Sequence, residues 1–170
     1  NIAFVWPQVW RTVRHDTTHG ISPFATLHGM VGAALWFTYG LQEAIPAMWV
    51  ANASFLTAQS IMGAVMLRQG RMDRLFVLRF VTALVILLSV GLPVSPAVIG
   101  WMATVVSASS MVPTVAHVAR EKNLHGISVL SWGITIASAA SWMAYGFMLD
   151  DPIMVNINYV TIPMMIFVIT

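Results

Sequence analysis

Long apolar runs separated by short polar breaks dominate this chain. A helix that crosses a bilayer needs about 20 mainly apolar residues. Seven segments read in this way: Asn1 to Arg14, which is shorter than a full span, then Ile21 to Leu41, Ile45 to Leu67, Leu75 to Leu92, Ala97 to Ala119, Ile127 to Leu149, and Pro152 to Thr170. The breaks between them collect the charges, so the pattern predicts an all-α polytopic membrane protein with seven transmembrane helices.

The pattern also repeats. Displaced by 106 positions without a gap, Pro7 falls on Pro113, His19-Gly20-Ile21-Ser22 on His125-Gly126-Ile127-Ser128, and Trp36 on Trp142. Tyr39-Gly40 falls on Tyr145-Gly146, Pro46 on Pro152, and Asn52 on Asn158. A fixed internal period of this kind decides the architecture before any local reading does. The copies cover segments 1–3 and 5–7, and segment 4 has no partner. Three helices are an odd number, so two copies inserted in the same orientation need one extra crossing between them. Leu75 to Leu92 supplies it. The expected organisation is two parallel three-helix bundles joined by an inversion linker helix: residues 1–67, a linker over 68–95, and residues 96–170. By the same symmetry the first helix is expected to extend about ten residues before Asn1. Trp6, Pro7 and Gln8 are unlike the apolar core of a signal peptide.

Composition agrees. Charged residues make up 8% of the chain and hydrophobic ones 58%, where soluble domains carry about 25% charged residues. Without cysteine there is no disulfide, thiolate metal site or thiol nucleophile. The net charge of +2 is carried in short loops, which argues against a nucleic-acid face. All eight basic residues, Arg11, Arg14, Arg68, Arg71, Arg74, Arg79, Arg120 and Lys122, lie in or beside the 1–2, 3–4 and 5–6 connections. The opposite connections hold Glu43, an uncharged Gly91 to Pro96 stretch, and Asp150 with Asp151. The positive-inside rule puts the basic face in the cytoplasm, the N-terminus outside and the C-terminus inside. Trp49 and Trp101 fall near the outer helix ends, as interfacial anchors do. Arg79, one turn into helix 4, is placed to snorkel to the headgroups. The short loops fit a prokaryotic inner membrane.

The candidate site residues are Trp36, Asn52, Trp142 and Asn158. Trp36 and Asn52 flank Ala44 at equal distances, and Trp142 and Asn158 flank Asp150 in the same way. At 1.5 Å per residue each lies roughly 12 Å below the outer helix end, so antiparallel neighbours present them at one depth. A two-fold axis would gather two indoles and two carboxamides around one point. An indole face stacks on the C–H surface of a sugar ring, and a carboxamide donates to and accepts from hydroxyls. The competing interpretation is an apolar filler and a helix–helix hydrogen bond. Its repetition at identical spacing favours binding of a small neutral polyol. Asn156 has Val50 as its counterpart and lies outside the symmetric set.

Pro7 and Pro113 lie about two turns from the basic ends of helices 1 and 5, where proline kinks a helix, and read as hinges of an inner gate. Pro23 has Val129 as its counterpart and fits a first-turn position. The two His-Gly-Ile-Ser runs read as helix starts capped by serine, with too few ligands for a metal. His28 is the one imidazole well inside a span, with Gly32 and Trp36 on its helical face. It is a candidate for pH modulation of transport, against a neutral histidine bonded to a neighbouring helix, with Gln59 as a partner. No Asp or Glu lies within a span, so proton relay is disfavoured and facilitated diffusion favoured. A retinal protein needs an intramembrane lysine, and Lys122 is in a loop. No catalytic residue constellation, phosphate-cradling glycine loop or cofactor motif is present.

Trp6-Pro7-Gln8-Val9, followed by a basic stretch and Gly20-Ile21-Ser22, resembles a PQ-loop repeat. Val112-Pro113-Thr114-Val115 through Ser128 is similar, with threonine for glutamine. With the 3-1-3 arrangement and the Trp-to-Asn spacing, the whole chain resembles the PQ-loop superfamily and, within it, the SWEET and SemiSWEET sugar transporters. That resemblance implies that Trp36, Asn52, Trp142 and Asn158 line a sugar site. It also implies that Pro7, Pro23 and Pro113 are three of four hinge prolines, the fourth position being Val129. Related PQ-loop exporters of amino acids use membrane carboxylates, which are absent here. The expectation is a carrier for a mono- or disaccharide moving down its gradient by alternating access. The alternatives are a PQ-loop carrier of an amino acid or other small polar metabolite, and a non-transporting subunit or receptor of a membrane complex. The expected partners are the solute and the lipid bilayer, with room for a homo-oligomer or other membrane subunits.

Overall fold

A computed structural model describes residues 2–120 and 129–169, with side chains over 5–120 and 131–169. Among the described residues the chain forms eight helical segments: α1 (Ile2–Arg14), α2 (Pro23–Gln42), α3 (Pro46–Arg68), α4 (Arg74–Gly91), α5 (Pro96–Ser109), α6 (Val112–Arg120), α7 (Val129–Met148) and α8 (Pro152–Ile169). The all-helical, polytopic expectation holds. The fifth predicted span is divided, because the helix breaks at Ser110 and Met111, just before Pro113.

Among the described residues, four helices are long and apolar enough to cross a membrane: Pro46–Arg68, Arg74–Gly91, the combined Pro96–Arg120, and Pro152–Ile169. That is fewer than the seven predicted. The described part of α1 is 13 residues long and thus short of a span. α2 and α7 reach 20 residues each, but Thr, Gly, Trp and Tyr in both, with His28 in α2 and three serines in α7, dilute their apolar content. Those two helices carry Trp36 and Trp142, so the dilution coincides with the candidate site.

Local sequence sets the helix boundaries. Ser22 accepts from Ala25 N–H at 3.2 Å with Pro23 as the first residue of α2. Asp73 accepts from Phe76 N–H at 2.7 Å and starts α4. Asp151 accepts from Ile153 and Met154 N–H at 2.9 and 3.1 Å and starts α8. Each such cap contributes about 1 kcal/mol, and proline at the first position loses no bond a helix would have made.

The chain divides into two compact units, Asn1–Val106 and Ser107–Thr170. In the first, α3 packs against both α1 and α2, and α4 packs on α2. Val5 and Val9 of α1 bury against Ala58 and Met62 of α3. Leu27, Met66 and Met72 form a second cluster, flanked by Phe76 and Phe80 of α4. At the end of α4, Gly91 lies against Ile99 of α5, and a Cβ there would collide with the Ile99 side chain. In the second unit α8 packs against both α6 and α7. The order is therefore the same in each unit, with the third helix of the repeat between the first two.

The connection between α1 and α2 is tied to the one between α3 and α4. Arg71 donates to the Thr18 carbonyl, to Thr18 Oγ1 at 2.8 Å and to the Ile21 carbonyl at 3.1 Å. Gln69 donates to the Asp16 carbonyl at 2.7 Å, and Arg68 pairs with the Asp16 carboxylate. Thr18 is buried. The Arg68–Asp16 pair is exposed and contributes little by itself, so the holding contacts are those of Arg71 to the backbone.

Candidate solute-binding site

Each unit builds the same module from its second and third helices, beginning at the turn. Ala44 and Asp150, equivalent under the repeat, both adopt left-handed backbone, with φ of 53° and 52°. Ile45 N–H donates to the Gly40 carbonyl at 2.8 Å, and Asp151 N–H to the Gly146 carbonyl at 2.9 Å. Glu43 N–H donates to the Tyr39 carbonyl at 2.9 Å, and Leu149 N–H to the Tyr145 carbonyl at 3.1 Å. These bonds satisfy carbonyls that a helix end leaves open.

Immediately below the turn the two helices come close. A Cβ on Gly40 would stand 3.0 Å from Met48 Cγ and from Trp49 N. One on Gly146 would stand 2.9 Å from Met154 Cβ and 3.2 Å from Val155 N. Glycine is required at both positions because the neighbour includes backbone, which cannot rotate aside. The Gly40–Met48 contact fixes the register of α2 against α3. Trp36 and Asn52 lie one turn further down each helix, equally far from Ala44, and thus on one level. Gly146–Met154 does the same for Trp142 and Asn158.

Trp36 meets Tyr39 edge to face, with ring centroids 5.9 Å apart at 73°. Trp142 meets Tyr145 at 6.1 Å and 64°. Asn52 Nδ2 donates to the Met48 carbonyl at 2.9 Å, and Asn158 Nδ2 to the Met154 carbonyl at 2.8 Å. One amide N–H of each carboxamide is thus used along its own helix, which fixes the side-chain rotamer. The carbonyl oxygen and the second N–H lie outside that bond. Asn158 is buried and Asn52, Trp36 and Trp142 are half-buried. A preset indole with a preset carboxamide can stack on a C–H face and exchange hydrogen bonds with hydroxyls. The tyrosines, the glycines and the methionine carbonyls complete the module. The sequence repeat included Tyr39-Gly40 and Tyr145-Gly146, but their supporting role shows only in the packing.

The hinge candidates occupy three different settings. Pro7 is inside α1, which continues through it. Pro23 opens α2. Pro113 is the second residue of α6, beside the break at which Ser110 and Met111 N–H donate to Ser107 and Ala108 carbonyls at 3.2 and 3.1 Å. Pro163 stands inside α8 and was not singled out by the sequence pattern, its counterpart being Thr57. His28 Nε2 donates to the Val106 carbonyl at 2.8 Å, and its ring stacks on Phe24 at 5.5 Å. It does bond a neighbouring helix, but that helix is α5, and Gln59 is not its partner. Gln59 Oε1 is buried and has no hydrogen-bond partner. The His125-Gly126-Ile127-Ser128 run and Lys122 lie outside the described residues.

A comparison with curated proteins and with solved structures gives no match. Residues 97–170 match a protein family described as "Sugar efflux transporter for intercellular exchange". The match covers the second repeat and stops short of half the chain. It supports a family of SWEET type, and with the apolar helices it agrees with a membrane-embedded sugar transporter.

Proposed function

We propose that the chain is a facilitative carrier of a mono- or disaccharide, with Trp36, Asn52, Trp142 and Asn158 as its binding residues. The carrying observation is the module itself. Turn, glycine contact, Trp–Tyr pair and Asn bond recur in both units at matching positions, and one copy lies within the segment that matches sugar efflux transporters. A solitary Trp or Asn would be explained by packing, whereas a duplicated polar aromatic module inside apolar helices points to a solute.

In this reading the repeats over 1–67 and 96–170 rock about a midplane site, with 68–95 as the linker, exposing the site to each side in turn. Pro113 is the principal inner hinge, with Pro7 and Pro23 as lesser members of that set. The basic loops face the cytoplasm and the N-terminus lies outside, in a prokaryotic inner membrane. His28 holds α2 to α5 through the Val106 carbonyl. Transport is bidirectional and uncoupled, since no carboxylate lies inside a span. One chain carries both halves of the site, and pairing with further copies or subunits is compatible with it.

The test is reconstitution in liposomes, following labelled glucose, sucrose and amino acids with and without a pH gradient. Sugar uptake that is indifferent to the gradient is expected. Asn52→Ala combined with Asn158→Ala should reduce it at least tenfold, since each lost hydrogen bond is worth about 1 kcal/mol. Undiminished uptake in the double variant would falsify the site assignment. Gradient-driven amino-acid uptake would replace the sugar, and no uptake of any solute would favour a subunit or receptor.

A further inference from the structure

The geometry points to Gln59 as a second hydroxyl-binding position, on the basic-loop side of the Trp36–Asn52 level and present in the first repeat only; this rests on the carrier reading above. Among the described residues, Gln59 Oε1 is the only buried side-chain polar atom with no hydrogen-bond partner. Buried polar groups are nearly always paired, and an unpaired one is destabilising unless a water or ligand completes it. Exchanging the amide oxygen and nitrogen leaves the other atom at the same place, so the vacancy does not depend on that assignment.

The position follows from the register. Gln59 is two turns beyond Asn52 on the same face of α3, about 10 Å further from the turn. Gly29 is two turns before Trp36 on α2. The structure puts these two together: a Cβ on Gly29 would be 3.7 Å from Gln59 Nε2 and 3.5 Å from the Phe55 ring. Gly29–Gln59 therefore repeats, one level down, the facing of Trp36 and Asn52. Phe55 supplies an aromatic ring beside the amide. An amide next to a ring, with its oxygen unfilled, has the polarity that a sugar C–H face with a neighbouring hydroxyl would take.

The second repeat lacks the position. The counterparts of Gln59 and Phe55 are Met165 and Thr161, and that of Gly29 is Thr135. Thr161 and Thr135 hydroxyls donate to their own helices, to Ile157 and Ser131 carbonyls at 3.0 and 2.9 Å. The second repeat therefore offers helix-bonded threonine hydroxyls at the equivalent places, and the unpartnered side-chain amide belongs to the first repeat alone.

The test is Gln59→Met, which copies the other repeat at similar volume, with Gln59→Leu as a second variant. Glucose and sucrose are the probes, read by uptake in liposomes and by the sugar-induced shift in melting temperature. The expected result is a five- to tenfold weaker apparent affinity, the loss of about one hydrogen bond. A melting temperature raised by about 2–4 °C without sugar is expected at the same time, because an unpaired amide has been removed. A purely structural glutamine gives the opposite sign, a lower melting temperature. Unchanged sugar affinity, or weakened affinity with a lower melting temperature, overturns the proposal. If the parent chain shows a sugar-induced shift but no uptake, the carrier reading fails, and a smaller shift in the variants still upholds the subsite. If it shows neither, both fall.

Discussion

At the level of single residues, Gly40 and Gly146 separate two effects that usually act together. Replacing a helical glycine by alanine gains about 1 kcal/mol of propensity. At these positions the new methyl would sit 3.0 Å from Trp49 N and 2.9 Å from Met154 Cβ, and overpacking of this kind costs about 1–3 kcal/mol. The clash outweighs the gain. Gly40→Ala and Gly146→Ala should each lower the melting temperature and reduce sugar uptake, because the helices carrying Trp and Asn are pushed apart. Gly63 has nothing within 4 Å of a Cβ, so Gly63→Ala should leave both unchanged or raise stability slightly. Melting curves and uptake on the three variants decide this; equal effects at all three sites would remove the close approach from the account. These residues also mark how far the sequence could be read. The Trp–Asn pairs were legible because a symmetric spacing about a turn survives without coordinates. The pairing of His28 with Val106 was not, because a backbone carbonyl carries no side-chain signature. Nor was the vacancy at Gln59, which is visible only once every neighbour has been placed.

At the level of helices, identical prolines act differently because their surroundings differ. The repeat predicted equal kinks at Pro7 and Pro113. α1 runs through Pro7 without interruption, whereas the helix ahead of Pro113 ends at Ser109 and restarts at Val112. The helical, polytopic character was legible from the apolar runs, and four of the described helices are long and apolar enough to span. The division of the fifth segment was not legible, since Val98 to Val106 and Val112 to Val118 read as one apolar run. Proline in a helix interior costs about 3 kcal/mol through a lost bond and a ring clash, and at Pro113 the break relieves that strain by tightening to shorter-range bonds. Pro113→Ala should let α5 and α6 join. The expected outcome is a higher melting temperature with sugar uptake slowed severalfold, since a straightened helix bends less readily. Pro7→Ala should gain stability with a smaller effect on rate. Uptake unaffected by Pro113→Ala would leave the break a static kink.

Across the whole molecule, the two copies share the Trp–Asn module but differ in sequence where the chain meets the basic loops. Arg71 holds the α1–α2 connection through the Thr18 and Ile21 carbonyls and the buried Thr18 hydroxyl. The repeat counterparts of Asp16 and Thr18 are Lys122 and Leu124. A lysine cannot accept from an arginine, and leucine offers no hydroxyl, so the side-chain part of this latch is specific to the first copy. If the copies rock as proposed, the first is expected to move with its α1–α2 connection fixed to α3. Hydrogen exchange tests this assignment. Charge-assisted bonds from one guanidinium to partly buried acceptors contribute about 2 kcal/mol, which is about 30-fold in a local opening equilibrium. Arg71→Ala should accelerate amide exchange by about that factor over residues 15–22, with little change in α7 and α8. Arg68→Ala, which removes only an exposed pair, should have an effect of less than about fivefold. Equal acceleration by both variants would mean that the exposed charges, and not the contacts of Arg71, hold the connection. An exchange rate over 15–22 indifferent to Arg71 would mean that its contacts do not hold the connection at all.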